Sequence, residues 1–382
     1  MKSANNTFAF NLLAQCLAQS AGENVFISPF SVAIALSMAH NGALGATAAS
    51  FAKALALPGG VTLDQVNEAN KQLITALETA DPDVQLAIAN ALWARKGVNF
   101  RAPFINANTD NYDATMTALD FRDEAGCLEV INNWCSEKTR GKITKILNKI
   151  DPNAILYLMN AIYFFGPWQE PFEEMMTDEE TFTCGDGTTK QHPLMWNNSE
   201  FPYFEGAGFQ AVSLPYGNGR LSMKVFLPDE GVDFGEFQKT LTATNWGDWL
   251  TNFRSKKGVV RLPKFKLEYE ITLNTALKAL GMDIAFSDAA DFGAVADLNV
   301  NGVPVDGFHI SEVKHKTFVQ VNEEGTEAAA VTSVGMAFCT SISVEQPFHF
   351  KADRPFVFTI VDDETGTVLF IGSIVNPEYD GE

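Results

Sequence analysis

Positive charge and long apolar runs are both scarce in this sequence. Its 382 residues include 27 lysines and arginines against 47 aspartates and glutamates, which gives a formal net charge of −20. Nucleic acid and anionic membranes would repel such a chain, so we expect neither as a partner. No apolar stretch approaches the ~18 residues that cross a bilayer, so no transmembrane helix is predicted.

Cysteine is scarce as well. The chain has five, none of them in a CxxC pair, and its five histidines show no metal-ligand spacing. A disulfide framework is not expected in a chain of this size with so few cysteines. We therefore predict no bound metal and no cofactor.

The motifs of common enzymes are missing too. The sequence contains no HExxH, no GxGxxG after a strand, no GxxxxGK[ST] and no GxSxG. Ser50 and Lys53 match the SxxK spacing of penicillin-binding enzymes, but the partner motifs SDN and KTG are absent from the sequence. We therefore do not expect an enzyme.

What is present is a large apolar fraction without a dividing linker. Hydrophobic residues make up 46% of the chain, and the 30 phenylalanines among them indicate a large core. Helical patterns dominate the first third and alternating strands the rest, without a βαβ rhythm, which predicts a mixed α+β class. No Pro/Gly/Ser-rich tract interrupts the sequence, so we expect one domain over residues 1–382.

The clearest local signals are a helix start and a hairpin. Ser28 followed by proline is typical of a helix N-terminus, because serine caps orphan amides and proline suits the first helical position. The apolar stretches 355–361 and 368–375 flank a turn and predict a buried hairpin. Near the N-terminus, the apolar spacing over residues 8–17 favours a helix over a signal peptide. The compartment stays open: extracellular if a signal was removed beforehand, cytoplasmic otherwise.

Residues 323–346 form an unusually long connection between two predicted strands, at 317–321 and 348–358. Structureless connections of this length are rare in a compact domain and are usually functional. A surface loop or a short helix over the alanines at 328–330 is one interpretation, since alanine has high helix propensity.

The alternation of residues in this connection favours another interpretation. One set of alternate positions is uncharged, small at first and then larger: Thr326, Ala328, Ala330, Thr332, Val334, Met336 and Phe338. The other set carries the one charge, Glu327, and no proline blocks ladder hydrogen bonds. The segment is therefore predicted to be a loop that can become a strand with one buried face.

Several stretches, taken in order, resemble the serpin family of protease inhibitors. EEGTEAAAVT at 323–332 resembles the hinge of inhibitory serpins, and FKADRPFVF at 350–358 resembles the family signature beyond the reactive loop. The further matches, in family order, are NVFISPFS at 24–31, NAIYFFGPW at 160–168, LPYG at 214–217, LPKF at 262–265 and HISEVKHK at 309–316. The resemblance extends over nearly the whole chain.

The resemblance implies a serpin fold, in which helices pack on three β-sheets and a reactive-centre loop is exposed. It also implies a suicide inhibitor of proteases. A protease would cleave the loop and form an acyl-enzyme, and the freed hinge would then insert into the central sheet. We expect a monomer whose partner is a target protease in a covalent complex. A non-inhibitory serpin with a storage, chaperone or binding role is the alternative.

The resemblance further implies which loop residues act. The hinge residues are Glu323, Glu324, Gly325, Thr326, Glu327, Ala328, Ala329, Ala330 and Thr332. The family's usual spacing from Gly325 puts the reactive bond between Cys339 and Thr340, and Phe338 and Met336 are alternatives because the register can shift. An apolar residue at this bond suits elastase-, chymotrypsin- or subtilisin-like serine proteases, with papain-like cysteine proteases as the second choice.

Other positions match the machinery that controls opening of the central sheet. In the family, a polar cluster lies beneath the central strands, and the residues that match it here are Ser28, Ser31, Asn160 and His315. Trp168, Lys264 and Glu323 match the place where the loop inserts, and we predict an ion pair between Lys264 and Glu323. Heparin activation needs a basic helix, but the corresponding stretch 62–78 carries a single lysine, so none is expected.

Overall fold

The computed structural model describes residues 2–297, 299–300, 303–304, 307–326 and 346–379. Helices and sheets of mixed strand direction make up these residues, which confirms the predicted α+β class. The described α-helices are α1 (Lys2–Gln19), α2 (Pro29–His40), α3 (Gly45–Ala54), α4 (Leu63–Glu78), α5 (Ala102–Tyr112), α6 (Glu124–Lys138), α7 (Phe234–Lys239), α8 (Ala243–Leu250) and α9 (Asn274–Leu277). Tighter or wider helical turns cover Glu174–Met176, Lys278–Met282 and Asp283–Phe286.

The strands follow in chain order. Those before α7 are β1 (Val25–Ile27), β2 (Gln85–Arg95), β3 (Asn99–Phe100), β4 (Thr115–Leu119), β5 (Leu156–Pro167), β6 (Asp178–Thr183), β7 (Thr189–Gly206), β8 (Phe209–Pro215) and β9 (Leu221–Pro228). Those after α8 are β10 (Arg254–Pro263), β11 (Phe265–Thr272), β12 (Ala296–Asp297), β13 (Asn299–Val300), β14 (Val303–Pro304), β15 (Glu312–Val321), β16 (Gly325–Thr326), β17 (Phe348–Lys351), β18 (Phe356–Asp362) and β19 (Thr367–Ile374).

A six-stranded sheet lies at the centre of the fold, with strand order β11-β15-β16-β5-β2-β4. Most of β15 pairs directly and in parallel with β5, from Glu312 opposite Tyr157 to Thr317 opposite Ile162. Above that rung the two strands diverge, and the two-residue strand β16 lies between them. The position of β16 makes this sheet the framework of the site.

The second large sheet has the order β1-β19-β18-β9-β8-β7-β10-β17, with β6 added on β7. The long strand β7 pairs with β6 and β10 over its first part and with β8 only over 203–206. The described strands thus form two large sheets and two two-stranded ones, β3 with β12 and β13 with β14.

The local predictions match the elements found. The side chain of Ser28 caps α2 by accepting a hydrogen bond from the backbone of Ser31, and proline occupies the first turn. The predicted hairpin is β18–β19, and the N-terminal apolar spacing belongs to α1. Among the described residues, no helix combines the length and apolarity needed to cross a membrane.

The core lies on both faces of the six-stranded sheet. The larger cluster, which includes Leu158 and Ile162 of β5, fills the space between the two sheets. The smaller cluster includes Tyr157 and Met159 on the opposite face, where α6 packs with Trp134. Alternate residues of β5 thus face different clusters, as the two-residue period of a strand requires.

Candidate functional site

The start of the predicted hinge is already a strand of the central sheet. Gly325 and Thr326 form β16, which runs antiparallel to both neighbours: Thr326 lies opposite Val321 of β15 and opposite Gly166 of β5. Below this rung the sheet is closed by the direct β5–β15 pairing. The chain therefore enters the gap between two strands at the point where they separate.

The two residues of β16 fit their places for different reasons. Thr326 is fully buried and faces the large core, where its hydroxyl lies 2.6 Å from the hydroxyl of Tyr216. Gly325 faces the other way, and a Cβ added there would come within 2.3 Å of the carbonyl oxygen of Gly166. Glycine is therefore required by the close approach of two backbones. Thr326 also has the inward orientation that the alternating pattern predicts.

The turn before β16 is held by the segment that follows β5. The backbone amide of Trp168 donates to Glu324 O at 2.9 Å, and its indole donates to Asn322 O at 2.9 Å. The amide of Phe172 donates to Glu323 O at 2.8 Å. Trp168 itself is fixed by stacking on Tyr216, with ring centroids 4.5 Å apart. Trp168 thus contacts both the turn and the core residue Tyr216.

The predicted ion pair between Lys264 and Glu323 is present, with Nζ and Oε2 at 2.8 Å. The hydroxyl of Thr177 donates a second hydrogen bond to this carboxylate at 2.7 Å. Burial alone would raise the pKa of Glu323, but the bonds from Lys264 and Thr177 outweigh it and hold the pKa below its usual value. Burial would likewise lower the pKa of Lys264, yet its contact with Glu323 leaves the pKa raised. Both groups are therefore charged at neutral pH.

The predicted polar cluster lies lower down, where β5 and β15 pair directly. Asn160 stands opposite His315 in the ladder, and its Oδ1 accepts from His315 Nδ1 and from Ser31 Oγ, each at 2.6 Å. Its amide group donates to Asn90 Oδ1 at 2.7 Å. Ser28 joins the cluster because its backbone amide donates to His315 Nε2 at 2.9 Å. The hydrogen bonds link α2 and its N-terminal cap to both β5 and β15.

His315 is neutral in this arrangement. Its Nε2 accepts the hydrogen bond from Ser28, so the proton resides on Nδ1, which donates to Asn160. The ring is fully buried, and burial lowers its pKa to about 3. A proton added to Nε2 would break the bond from Ser28, so the cluster favours the uncharged ring.

The structure separates the predicted residues into two groups in space. Trp168, Lys264 and Glu323 meet around the turn before β16, while Ser28, Ser31, Asn160 and His315 meet below it. The remaining predicted residues lie outside the described residues: Glu327, Ala328, Ala329, Ala330, Thr332, Met336, Phe338, Cys339 and Thr340.

The sequence did not indicate four further contributors, namely Asn90, Thr177, Tyr216 and Tyr379. Asn90 completes the polar cluster. Thr177 contacts Glu323 in the turn before β16, and Tyr216 contacts Thr326. Tyr379 packs against Lys264. For Tyr216 a signal existed, because it lies in the LPYG stretch that matches the family. The other three carried no recognisable motif.

Comparisons with known proteins agree with one another. A family model described as Serpin (serine protease inhibitor) matches residues 3–377. Serpin B6 of Pongo abelii is 35% identical, over 99% of this chain and 99% of its own length. The native-state crystal structure of the thermophilic serpin Tengpin, at 33% identity, covers 98% of this chain and 94% of its own with a TM-score of 0.89. Human thyroxine-binding globulin complexed with thyroxine, at 26% identity, covers 99% of both chains with a TM-score of 0.90.

Proposed function

Because the chain belongs to the serpin family, we propose that it is a single-domain suicide inhibitor of proteases that acts by inserting its own loop. The observation that carries this proposal is the position of β16. Two hinge residues already lie between β5 and β15, and both neighbours run antiparallel to them. Continued insertion would lengthen a strand that has begun.

The catalytic groups of the protease carry out the first step, which is cleavage of the loop. Its nucleophile bonds to the carbonyl carbon of Cys339, the bond to Thr340 breaks, and the leaving amine takes the proton from the general base. The amino-terminal part of the loop, from Gly325 onward, is then free at one end. It stays joined to the protease through the acyl bond.

Insertion then exchanges one type of strand pairing for another. The parallel ladder between β5 and β15 has to open, and two antiparallel ladders would form in its place. Antiparallel pairing is slightly the more stable per residue. If about a dozen residues insert at a net ~0.5–1.5 kcal/mol per hydrogen bond, the gain is on the order of 10 kcal/mol before ordering costs. The form with the loop outside is then metastable, and its lifetime depends on an activation barrier.

The polar cluster supplies part of that barrier. Separating β5 from β15 breaks the contact between Asn160 and His315, and both groups are buried. Buried polar groups that lose their partners cost about 1–3 kcal/mol each. We propose that Ser28, Ser31, Asn160 and His315 keep the sheet closed until cleavage frees the loop.

The composition of the reactive loop supports a choice of target protease. Arginine and lysine are absent from positions 328–346, and Met336, Phe338 and Cys339 are apolar. We propose an elastase-, chymotrypsin- or subtilisin-like serine protease as the target, and a papain-like cysteine protease as the second choice.

A panel of such proteases tests the function directly. The protein is incubated with each protease and boiled in detergent, and a band is expected at the summed mass of the two proteins less the carboxyl-terminal peptide that cleavage releases. Mass spectrometry of the released peptide locates the cut near Cys339. A protease whose nucleophile is replaced by alanine is the control and should give no band. Complete cleavage without any covalent band, for every protease that cuts the loop, would contradict the proposal.

A non-inhibitory binding role is the second candidate. It is favoured by the similarity to thyroxine-binding globulin, whose structure was determined with thyroxine. The same panel discriminates between the two roles, because a binding protein of this type need not trap the protease that cleaves it.

A further inference from the structure

The last described residues run back to the insertion point. After β19, the side chain of Asn24 holds the chain: its Oδ1 accepts from the amides of Val375 and Asn376 at 2.8 and 3.0 Å. Its amide group donates to the carbonyl oxygen of Asn376 at 2.6 Å. Lys190 donates to the side chain of Asn376 at 2.6 Å. These contacts fix the direction of the chain beyond β19.

The chain then adds to the edge of the central sheet. The amide of Lys266, in edge strand β11, donates to Glu378 O at 2.7 Å. The next residue, Tyr379, is partly buried, and its ring centroid lies 4.5 Å from Nζ of Lys264. Lys264 is the residue whose ammonium binds Glu323 at 2.8 Å. The C-terminal tyrosine and the hinge glutamate therefore share one lysine.

Lysine needs such a second contact to be an effective partner for Glu323. Its four-carbon side chain is flexible, and ordering it costs entropy. The π face of an aromatic ring attracts an ammonium group and limits the positions it samples. The side chain of Lys264 is 18% exposed, so water competes only weakly for the ammonium. The ring and the carboxylate thus hold the same cation.

We propose that Tyr379 is a positioning residue that holds Lys264 against Glu323 and so keeps the gap between β5 and β15 closed to a further strand. Without the ring, Lys264 samples more conformations and the turn before β16 loses part of its support. The contacts from Trp168 and Phe172 remain. The expected effect is therefore a looser insertion point in a folded protein.

The role in protease inhibition rests on the proposed function, but the positioning itself is measurable without a protease. A labelled synthetic peptide that copies residues 326–338 is offered to the intact protein as a competing strand. The rate at which the peptide becomes bound is followed by fluorescence anisotropy. Circular dichroism checks that each variant is folded. If the parent protein traps no protease but the peptide rates still change as expected, the proposed function fails and this inference stands. If the parent traps a protease but the peptide rates do not depend on Tyr379, this inference alone fails.

Four variants are compared with the parent protein: Tyr379→Ala, Tyr379→Phe, Glu323→Gln, and Tyr379→Ala combined with Glu323→Gln. Tyr379→Ala is expected to bind the peptide about threefold faster, as loss of a partly exposed cation–π contact suggests. Tyr379→Phe keeps the ring and removes the hydroxyl that also contacts Lys264, and it should stay at the parent rate because the ring face holds the ammonium. In the Glu323→Gln background, Tyr379→Ala should add little, because the lysine no longer has a charged hinge partner to be held against.

Three results would overturn the inference. The first is a Tyr379→Ala variant with the parent rate, and the second is a Tyr379→Phe variant as fast as Tyr379→Ala, since either outcome separates the ring from the effect. The third is a threefold effect of Tyr379→Ala that persists undiminished with Glu323→Gln. Tyr379 would then act by a route that does not pass through the ion pair between Lys264 and Glu323.

Discussion

Thr326 and Tyr216 hold their hydroxyl groups 2.6 Å apart in the interior of the protein. Neither side chain is exposed to solvent. A buried hydroxyl without a partner is costly, so each residue depends on the other. The first inward-facing residue of the hinge is thus matched chemically to the core residue it meets.

This match predicts a thermodynamic coupling. Tyr216→Phe leaves the hydroxyl of Thr326 without its partner, and Thr326→Val does the same to Tyr216, so each should destabilise the protein by about 1–3 kcal/mol. The double variant should cost clearly less than the sum, because neither orphan group remains. The measurement is the urea midpoint of the first unfolding transition for all four proteins. If the losses of stability in the two single variants add up in the double variant, the hydrogen bond between Thr326 and Tyr216 does not contribute to stability.

Thr326 also provides a test of insertion itself. Thr326→Arg places a charged side chain at a position that faces the large core, so the hinge strand should no longer lengthen. The target protease is then expected to cut the loop and escape, which converts the inhibitor into a substrate. Denaturing gels measure the ratio of covalent complex to cleaved product. Thr326→Val is the matched control and should still form the complex; an unchanged ratio in Thr326→Arg would contradict loop insertion.

His315 predicts a pH dependence with a definite sign. Burial lowers its folded-state pKa from 6.5 to about 3, so between these values the unfolded chain binds the proton and the folded protein does not. The contribution of His315 to the free energy of unfolding is therefore present in full above pH 6.5. It falls as the pH drops, by roughly 2 kcal/mol between pH 7 and pH 5.

The comparison that isolates His315 is a His315→Asn variant. His40 and His192, whose pKa values are also lowered by burial, act in the same direction and are present in both proteins. The variant should be less stable at pH 7, and its stability should fall less steeply between pH 7 and pH 5. Chemical denaturation at four or five pH values measures the two slopes. Parallel slopes would mean that His315 does not titrate in this range.

The fold was predictable from the sequence where local signals and the resemblance agree. Serine followed by proline at 28–29 marked the start of α2, and two dense apolar stretches marked the β18–β19 hairpin. The arrangement of the nine-stranded sheet around β7 was not predictable. It depends on pairing a single 18-residue strand with three partners, and alternation within one strand does not reveal its neighbours.

The candidate site was predictable to a similar degree. Alternation placed Thr326 inward, and the resemblance paired Lys264 with Glu323. Thr177 and Tyr379 could not be found in this way. Each lies more than 50 residues from the residue it contacts, 146 in the case of Thr177 and Glu323, and neither belongs to a recognisable motif. Contacts of that kind are fixed by tertiary structure alone.

The charge of helix α4 leads to a prediction about polyanions. Over Leu63–Glu78 the helix carries Lys71 as its one basic residue, against Asp64, Glu68 and Glu78. A chain of net charge −20 also repels a sulfated polysaccharide at long range. Heparin should therefore leave the rate of protease inhibition unchanged at low salt, where electrostatic effects are largest. The second-order rate constant is measured with and without heparin, using a protease that does not itself bind heparin. An acceleration that disappears in 0.5 M salt would reveal a basic surface elsewhere and overturn the prediction.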